Sequence, residues 1–165
     1  MRIEFASMTE AATSFVEYLK SGQEIPGGVS YKRALSQSRL DGTLDSLRRV
    51  DFLLDQIRTR HTPTYETFLS HQPNINFLYL LGFYVGVSVA EMSGAPVHWV
   101  SYDQFLASNP QAEHAWPRRF ESSAVCVLQK PGNPQKVCMP LVPAVQRLFE
   151  GPQTASVLTS ATIFL

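Results

Sequence analysis

Residues 75–93 read INFLYLLGFYVGVSVAEMS, and from Ile75 through Ala90 they contain no charged side chain. A helix that is apolar all round is either buried or in a membrane. A spanning helix needs about 20 apolar residues. This run is shorter, carries Asn76, Tyr79, Tyr84 and Ser88, and has no basic flank. It reads as the buried helix of a globular fold. Gly94 is placed to end it, and Pro96 prevents its continuation. Gly82 and Gly86 stand on one helical face, where the missing Cβ atoms admit the close approach of another segment. The expected neighbour is the helix formed by residues 44–60.

Upstream, the pattern is helical. Ser7-Met8-Thr9-Glu10 has the form of a capping box, and Ala11, Ala12, Phe15, Val16 and Leu19 follow at helical spacing up to Gly22. Residues 21–42 form a long connection with a turn at Pro26-Gly27-Gly28 and room for a short helix between Ser30 and Leu40. Thr43 caps a helix over 44–60, whose stripe is Leu44, Leu47, Val50, Leu54 and Ile57, widened by Phe52 and Leu53. Asp45, Arg48, Arg49, Asp51, Asp55 and Arg58 take its wetter sides. Thr62-Pro63 reads as the start of a short helix reaching about His71.

Downstream, the pattern changes. Residues 97–100 are strand formers, and Ser101-Tyr102-Asp103-Gln104 is a second capping box that opens a short helix. Residues 109–117 read as loop. Residues 123–128 and 135–139 flank Pro131-Gly132-Asn133-Pro134, a strong hairpin signal. Residues 140–150 read as a helix closed by Gly151-Pro152. Residues 155–165 are apolar and β-branched, which predicts a strand and suggests that the natural chain continues past Leu165. Helices first and strands second predict an α+β fold, with N-terminal helices packed on one face of a small antiparallel sheet built by the C-terminal half. The 165-residue length fits a single domain, 1–165.

Composition narrows the function. With 44% hydrophobic residues and a formal net charge of zero, the chain has no disorder signature. It also has no long-range attraction for a phosphate backbone, so nucleic-acid binding is not expected. Glu4 and Glu10 interrupt the N-terminal segment, which lacks the apolar run of a secretory signal. Two cysteines are too few for a disulfide-dense secreted scaffold. The expected location is the cytoplasm, with no membrane association.

Several groups could carry chemistry. Tyr79, Tyr84, Trp99 and Tyr102 could line a ligand pocket between the central helix and the sheet. Trp116, Arg118, Arg119 and Phe120 combine aromatic and basic groups on one connection, a composition enriched at protein interfaces. Cys126 and Cys138 lie on the two arms of the hairpin, equidistant from Gly132, which makes them cross-strand neighbours, or one step off, and candidates for a redox pair. His61, His71, His98 and His114 form no metal-ligand spacing, and there is no Walker loop, nucleophile elbow or zinc-helix motif. No cofactor and no metal is expected.

The stretch Leu40-Asp41-Gly42-Thr43-Leu44-Asp45-Ser46-Leu47-Arg48-Arg49-Val50-Asp51, followed by Leu80-Leu81-Gly82-Phe83-Tyr84-Val85-Gly86, resembles a group of uncharacterised bacterial proteins. In that group a Ser-Leu-x-x-(Leu/Val)-Asp helix precedes a Gly-x-Tyr-x-Gly-Glu helix and a strand with a tryptophan, here Trp99. Val87 stands where the group usually has glutamate. The resemblance implies the order of elements and no activity.

With no convergent catalytic set, the leading expectation is a non-enzymatic protein-interaction domain of immunity or adaptor type in a bacterial cytoplasm. It would have a protein partner or a second copy as ligand. A small-molecule-binding protein or an enzyme with a divergent aromatic pocket is the alternative, and a thiol sensor at Cys126 and Cys138 is a third.

Overall fold

The computed structural model describes residues 7–165; residues 1–6, where part of the N-terminal reading falls, lie outside the described residues. The chain runs α1 (Met8–Ser21), α2 (Lys32–Gln37), α3 (Leu44–His61), α4 (Tyr65–Leu69) and α5 (Gln72–Ser93). It continues as β1 (Val97–Ser101), α6 (Tyr102–Ser108), β2 (Ala124–Leu128), β3 (Lys136–Cys138), α7 (Leu141–Glu150) and α8 (Val157–Thr162). Two 3-10 turns, Pro110–His114 and Phe120–Ser122, lie between α6 and β2. The fold is α+β, as the order of patterns predicts.

α5 is the axis of the fold. It begins at Gln72, with Pro73 in its first turn, and ends at Gly94 in the left-handed region. By length and composition it is able to cross a membrane, yet 72% of its most apolar window is buried inside the fold. Phe77, Leu78, Leu80 and Leu81 are fully enclosed. One continuous core gathers α1, α3, α5, α7, α8 and one face of the sheet around it.

The glycines of α5 do not meet α3. A Cβ on Gly82 would lie 2.8 Å from Leu141 Cδ2, at the start of α7. One on Gly86 would lie 2.4 Å from Trp99 Cη2 and 3.3 Å from Cys126 Sγ, both on the sheet. Gly86 therefore seats the helix on the sheet.

The sheet is antiparallel with order β1-β2-β3. Trp99 pairs with Cys126, and Cys126 with Cys138. Strand alternation puts these three on the α5 face. The opposite face carries Val125 and Val127, packed with Phe105 and Met139 in a second, smaller core. Both faces of the sheet are thus covered, the second by α6 and the turn after it, where the sequence predicts helices on one face only.

Other departures have local causes. Thr62 ends α3 in the left-handed region, so the next helix starts late, at Tyr65 with Thr64 as N-cap. Leu44 and Phe52 are exposed, and the α3 stripe narrows to Leu47, Val50, Leu53, Leu54 and Ile57. Asp51, read from sequence as a wet position, is buried. It explains the largest departure, which is that residues 157–162 are helix and not strand. Asp51 Oδ1 accepts from Val157 N at 2.7 Å, and Oδ2 accepts from Ser156 Oγ at 2.7 Å and Leu158 N at 3.3 Å. Ser156 Oγ in turn accepts from Thr159 N. A carboxylate at the orphan amides of a helix start outweighs the strand preference of valine and threonine.

A candidate partner groove at the sheet edge

The ends of the sheet differ. On the outer side of β1, Trp99 N donates to Thr9 Oγ1 and the same hydroxyl donates to Trp99 O, both at 3.3 Å. A strand residue points its N–H and C=O to one side, so those of Trp99 face α1 and not β2. Trp99 and Cys126 are then a non-hydrogen-bonded pair, and Cys126 turns its backbone groups toward β3. The bond from Gln129 N to Pro96 O, three pairs along, keeps the same alternation. It follows that Cys126 and Cys138 are a hydrogen-bonded pair. Val137, one residue before, points its N–H and C=O out of the sheet. Met139 O, the next outward carbonyl, accepts from Val142 N in the first turn of α7. No described residue takes the Val137 groups.

Beside this edge lies an open groove of about 190 Å³. Val137, Cys138 and Met139 form one wall, and Pro140, Val142 and Pro143 of the α7 start form its end. The other wall is α8 and the residues after it, Ser160, Ala161, Ile163 and Phe164. Val85 and Val157 are its buried floor, and Trp116 stands at its margin. Ser160 is the one hydroxyl in this apolar lining. Trp116 is 42% exposed and Ile163 75% exposed, so two large apolar groups face water at one site. A neighbouring cleft of about 250 Å³ shares Phe164 and adds Leu128, Lys130, Asn133, Lys136 and the half-exposed Leu165.

Trp116 is held by its backbone. Its N–H donates to Ala112 O, and its carbonyl accepts from Tyr102 Oη. The rest of the segment read from sequence as a partner surface makes internal contacts. Arg118 pairs with Asp103 at 2.6 Å and lies 5.0 Å over the Tyr102 ring. The Asp103 contact raises the Arg118 pKa, and Arg118 lowers that of Asp103. Arg119 sits 3.9 Å from Glu121, whose carboxylate accepts from Tyr65 Oη at 2.8 Å. Burial and then the Glu121 hydrogen bond push Tyr65 up to about 12. Phe120 packs edge-on against Tyr79, 5.1 Å away. Of the four residues, Trp116 lines the groove.

The four aromatics read as a ligand pocket are distributed through the core. Tyr79 hydrogen-bonds Ser123 Oγ at 2.8 Å, and burial raises its pKa. Tyr84 Oη accepts from Gly42 N at 2.8 Å and contacts Ser46 Oγ, tying α5 to the N-terminus of α3. Trp99 meets Phe83 edge to face at 4.9 Å. Tyr102 holds Trp116. None of the four lines the groove or its neighbouring cleft.

Cys126 and Cys138 are directly paired, free and buried. Burial pushes both thiols up, Cys138 to about 12, which keeps them protonated at neutral pH. Sequence reasoning missed Asp51, Asp55 and Arg147. Arg147 reaches Asp55 at 2.6 and 2.9 Å and Asp51 at 3.4 Å, joining α3, α7 and α8. Burial alone would lower the Arg147 pKa, and the two carboxylates raise it instead. The sequence signal was available, since aspartates four apart share a helical face. Among the described residues no group of three or more His, Cys, Asp or Glu could hold a metal ion. Every buried side-chain nitrogen and oxygen described has a hydrogen-bond partner.

No protein-family model matches the chain, and no curated protein and no solved structure shows a significant match to it.

Proposed function

We propose that this chain is a protein-interaction domain, and that the groove between β3, α7 and α8 receives its partner. One observation carries the reading: Trp116 and Ile163 face water on the rim of an apolar groove at the end of the sheet. Isolated exposed apolar residues are ordinary, whereas large ones gathered around one concavity mark binding surfaces. Tryptophan anchors are also enriched at interface hot spots. An immunity protein or an adaptor would use such a site, because its task is to bind rather than to transform. The supporting chemistry is negative as well as positive: the groove offers shape and apolar surface, and among the described residues its lining contains no acid, base or nucleophile other than the protonated Cys138 and the Ser160 hydroxyl.

The test is a random peptide library displayed on phage and selected on the chain, with the Ile163→Asp variant as the counter-target. Binders that recognise the unaltered chain and lose at least tenfold in affinity to I163D are expected. A library that enriches nothing, or enriches equally on both, overturns the reading. Light scattering on both proteins tells whether a second copy already occupies the groove.

A further inference from the structure

We infer that the groove takes an extended segment of a partner protein, which adds to the sheet as a strand beside β3 and carries acidic residues toward Lys136 and Lys130. This rests on the reading of the groove as a partner site and specifies what enters it.

The backbone argument comes from the open edge of β3. The outward groups of Trp99 on β1 are taken by the Thr9 hydroxyl, and the outward Met139 carbonyl by the α7 start. Val137 N–H and C=O, between Lys136 and Met139, have no described partner and open on the groove. An exposed strand edge is a template for pairing with another chain, and strand addition obtains affinity from main-chain bonds and specificity from alternate side-chain pockets. A residue placed opposite Val137 would exchange its backbone bonds there, and successive residues of the segment would send side chains to alternate faces of the sheet.

The charge argument comes from the adjoining cleft. Lys130 and Lys136 line it, and among the described residues no aspartate or glutamate lines either cleft or groove. Neither lysine forms an ion pair among the described residues; Lys136 Nζ makes one long contact, 3.4 Å, to Phe164 O. Opposite charges on facing strand positions attract. A chain of zero net side-chain charge with two basic side chains gathered at the end of an apolar groove therefore complements a segment that is apolar with an acidic end.

The experiment uses the phage-selected peptides, synthesised with blocked ends, and the whole chain. Amide exchange followed by NMR reads the Val137 N–H directly. Protection of Val137 by at least tenfold on peptide binding, with consensus sequences that alternate apolar residues and include glutamate or aspartate, is expected. The Lys130→Glu/Lys136→Glu variant should bind these peptides roughly tenfold more weakly. The Val137→Pro variant, which deletes the outward N–H and no ladder bond, should bind more weakly than Val137→Ala. Peptides that lose affinity to I163D yet leave the Val137 amide unprotected overturn strand addition and leave the partner groove standing. Unchanged or tighter binding by the lysine variant overturns the acidic preference. Failure to select any peptide overturns both readings together.

Discussion

Replacing Gly86 with alanine separates two effects of known sign. Alanine is favoured over glycine in a helix interior by about 1 kcal/mol. Against this, the new Cβ would stand 2.4 and 2.6 Å from two atoms of the Trp99 ring, well inside contact distance. The ring has little freedom to retreat. It is 3% exposed, meets Phe83 edge to face at 4.9 Å, and its backbone is tied to Thr9 on both its N–H and its C=O. Overpacking of a well-filled core costs about 1–3 kcal/mol and sometimes more. With a rigid aromatic as the obstacle, the clash should cost about 3 kcal/mol, so Gly86→Ala should destabilise by about 2 kcal/mol net. Urea unfolding should show this as a lower midpoint with unchanged slope. Gly82→Ala is the comparison, because its Cβ would meet an aliphatic side chain, Leu141 Cδ2 at 2.8 Å and Cγ at 3.1 Å, and not an aromatic ring. That variant should fall within about 1 kcal/mol of the parent. In a Trp99→Phe background the cost of Gly86→Ala should fall by at least about 1 kcal/mol, which a double-mutant cycle measures. A Gly86→Ala protein as stable as the parent, or no coupling to Trp99, would refute the claim that this glycine seats the helix on the sheet.

Other expectations follow from the same contacts. Asp51→Ala should cost about 2–4 kcal/mol, since it leaves the Val157 amide and the Ser156 hydroxyl without their acceptor, and circular dichroism should lose the α8 contribution; a loss below about 0.5 kcal/mol would show that α8 does not depend on this cap. In the free chain the Val137 amide should exchange faster than that of Cys138 by at least about tenfold, because the first points to the groove and the second to β2; equal protection would overturn the register argument. With its ordinary value at 9.0 and its buried value at about 12, Cys138 should have roughly a thousandfold less thiolate at pH 8 than a free cysteine, so iodoacetamide should leave it unmodified in the folded chain, as intact mass can show. The linked stability has a definite sign. The fold prefers the protonated thiol, so its contribution is full below pH 9 and is lost as pH rises toward 12; Cys138→Ala should flatten that alkaline slope, and an unchanged slope would assign it to other groups.

Residues whose partners are close in sequence were legible, and those whose partners arrive from far away were not. The turn around Gly132 defines its own register, so the facing of Cys126 and Cys138 follows from counting. The capping box at Ser101 and Gln104 is likewise local and forms as read. Trp99 inside and His98 outside follow from strand alternation. α8 fails this test because its N-terminus is capped by a carboxylate of α3, and no local pattern in Val157–Thr162 announces that. Phe52 fails for the opposite reason, since it sits on the solvent side of α3 and is 62% exposed. The groove was least legible of all. It is assembled from β3, α7, α8, Trp116 and one valine of α5, and its open edge is visible only once the sheet order is known.

The sheet order also bears on why one edge is open. A three-stranded sheet has two edges, and unpaired edges invite unwanted association. At Trp99 this fold covers the first with a single hydroxyl, Thr9, on a helix that is needed for the core in any case, and Gln104 takes the Ser101 N–H. The second edge could be closed as cheaply. α8 already lies across the groove from β3, and Ser160 on that helix is within the groove lining without a described hydrogen bond from its side chain to β3. Instead the gap between them is lined with valine, methionine, proline and alanine, and the side chains at its rim, Trp116 and Ile163, are large and apolar. Apolar walls exclude water from an inserted backbone and so strengthen its hydrogen bonds, whereas they do nothing for an edge that is meant to stay solvated. An edge kept short, at three residues, limits indiscriminate pairing, while the apolar walls reward a segment whose side chains fit. The open Val137 groups beside apolar walls are therefore the observation on which the proposed partner site most depends.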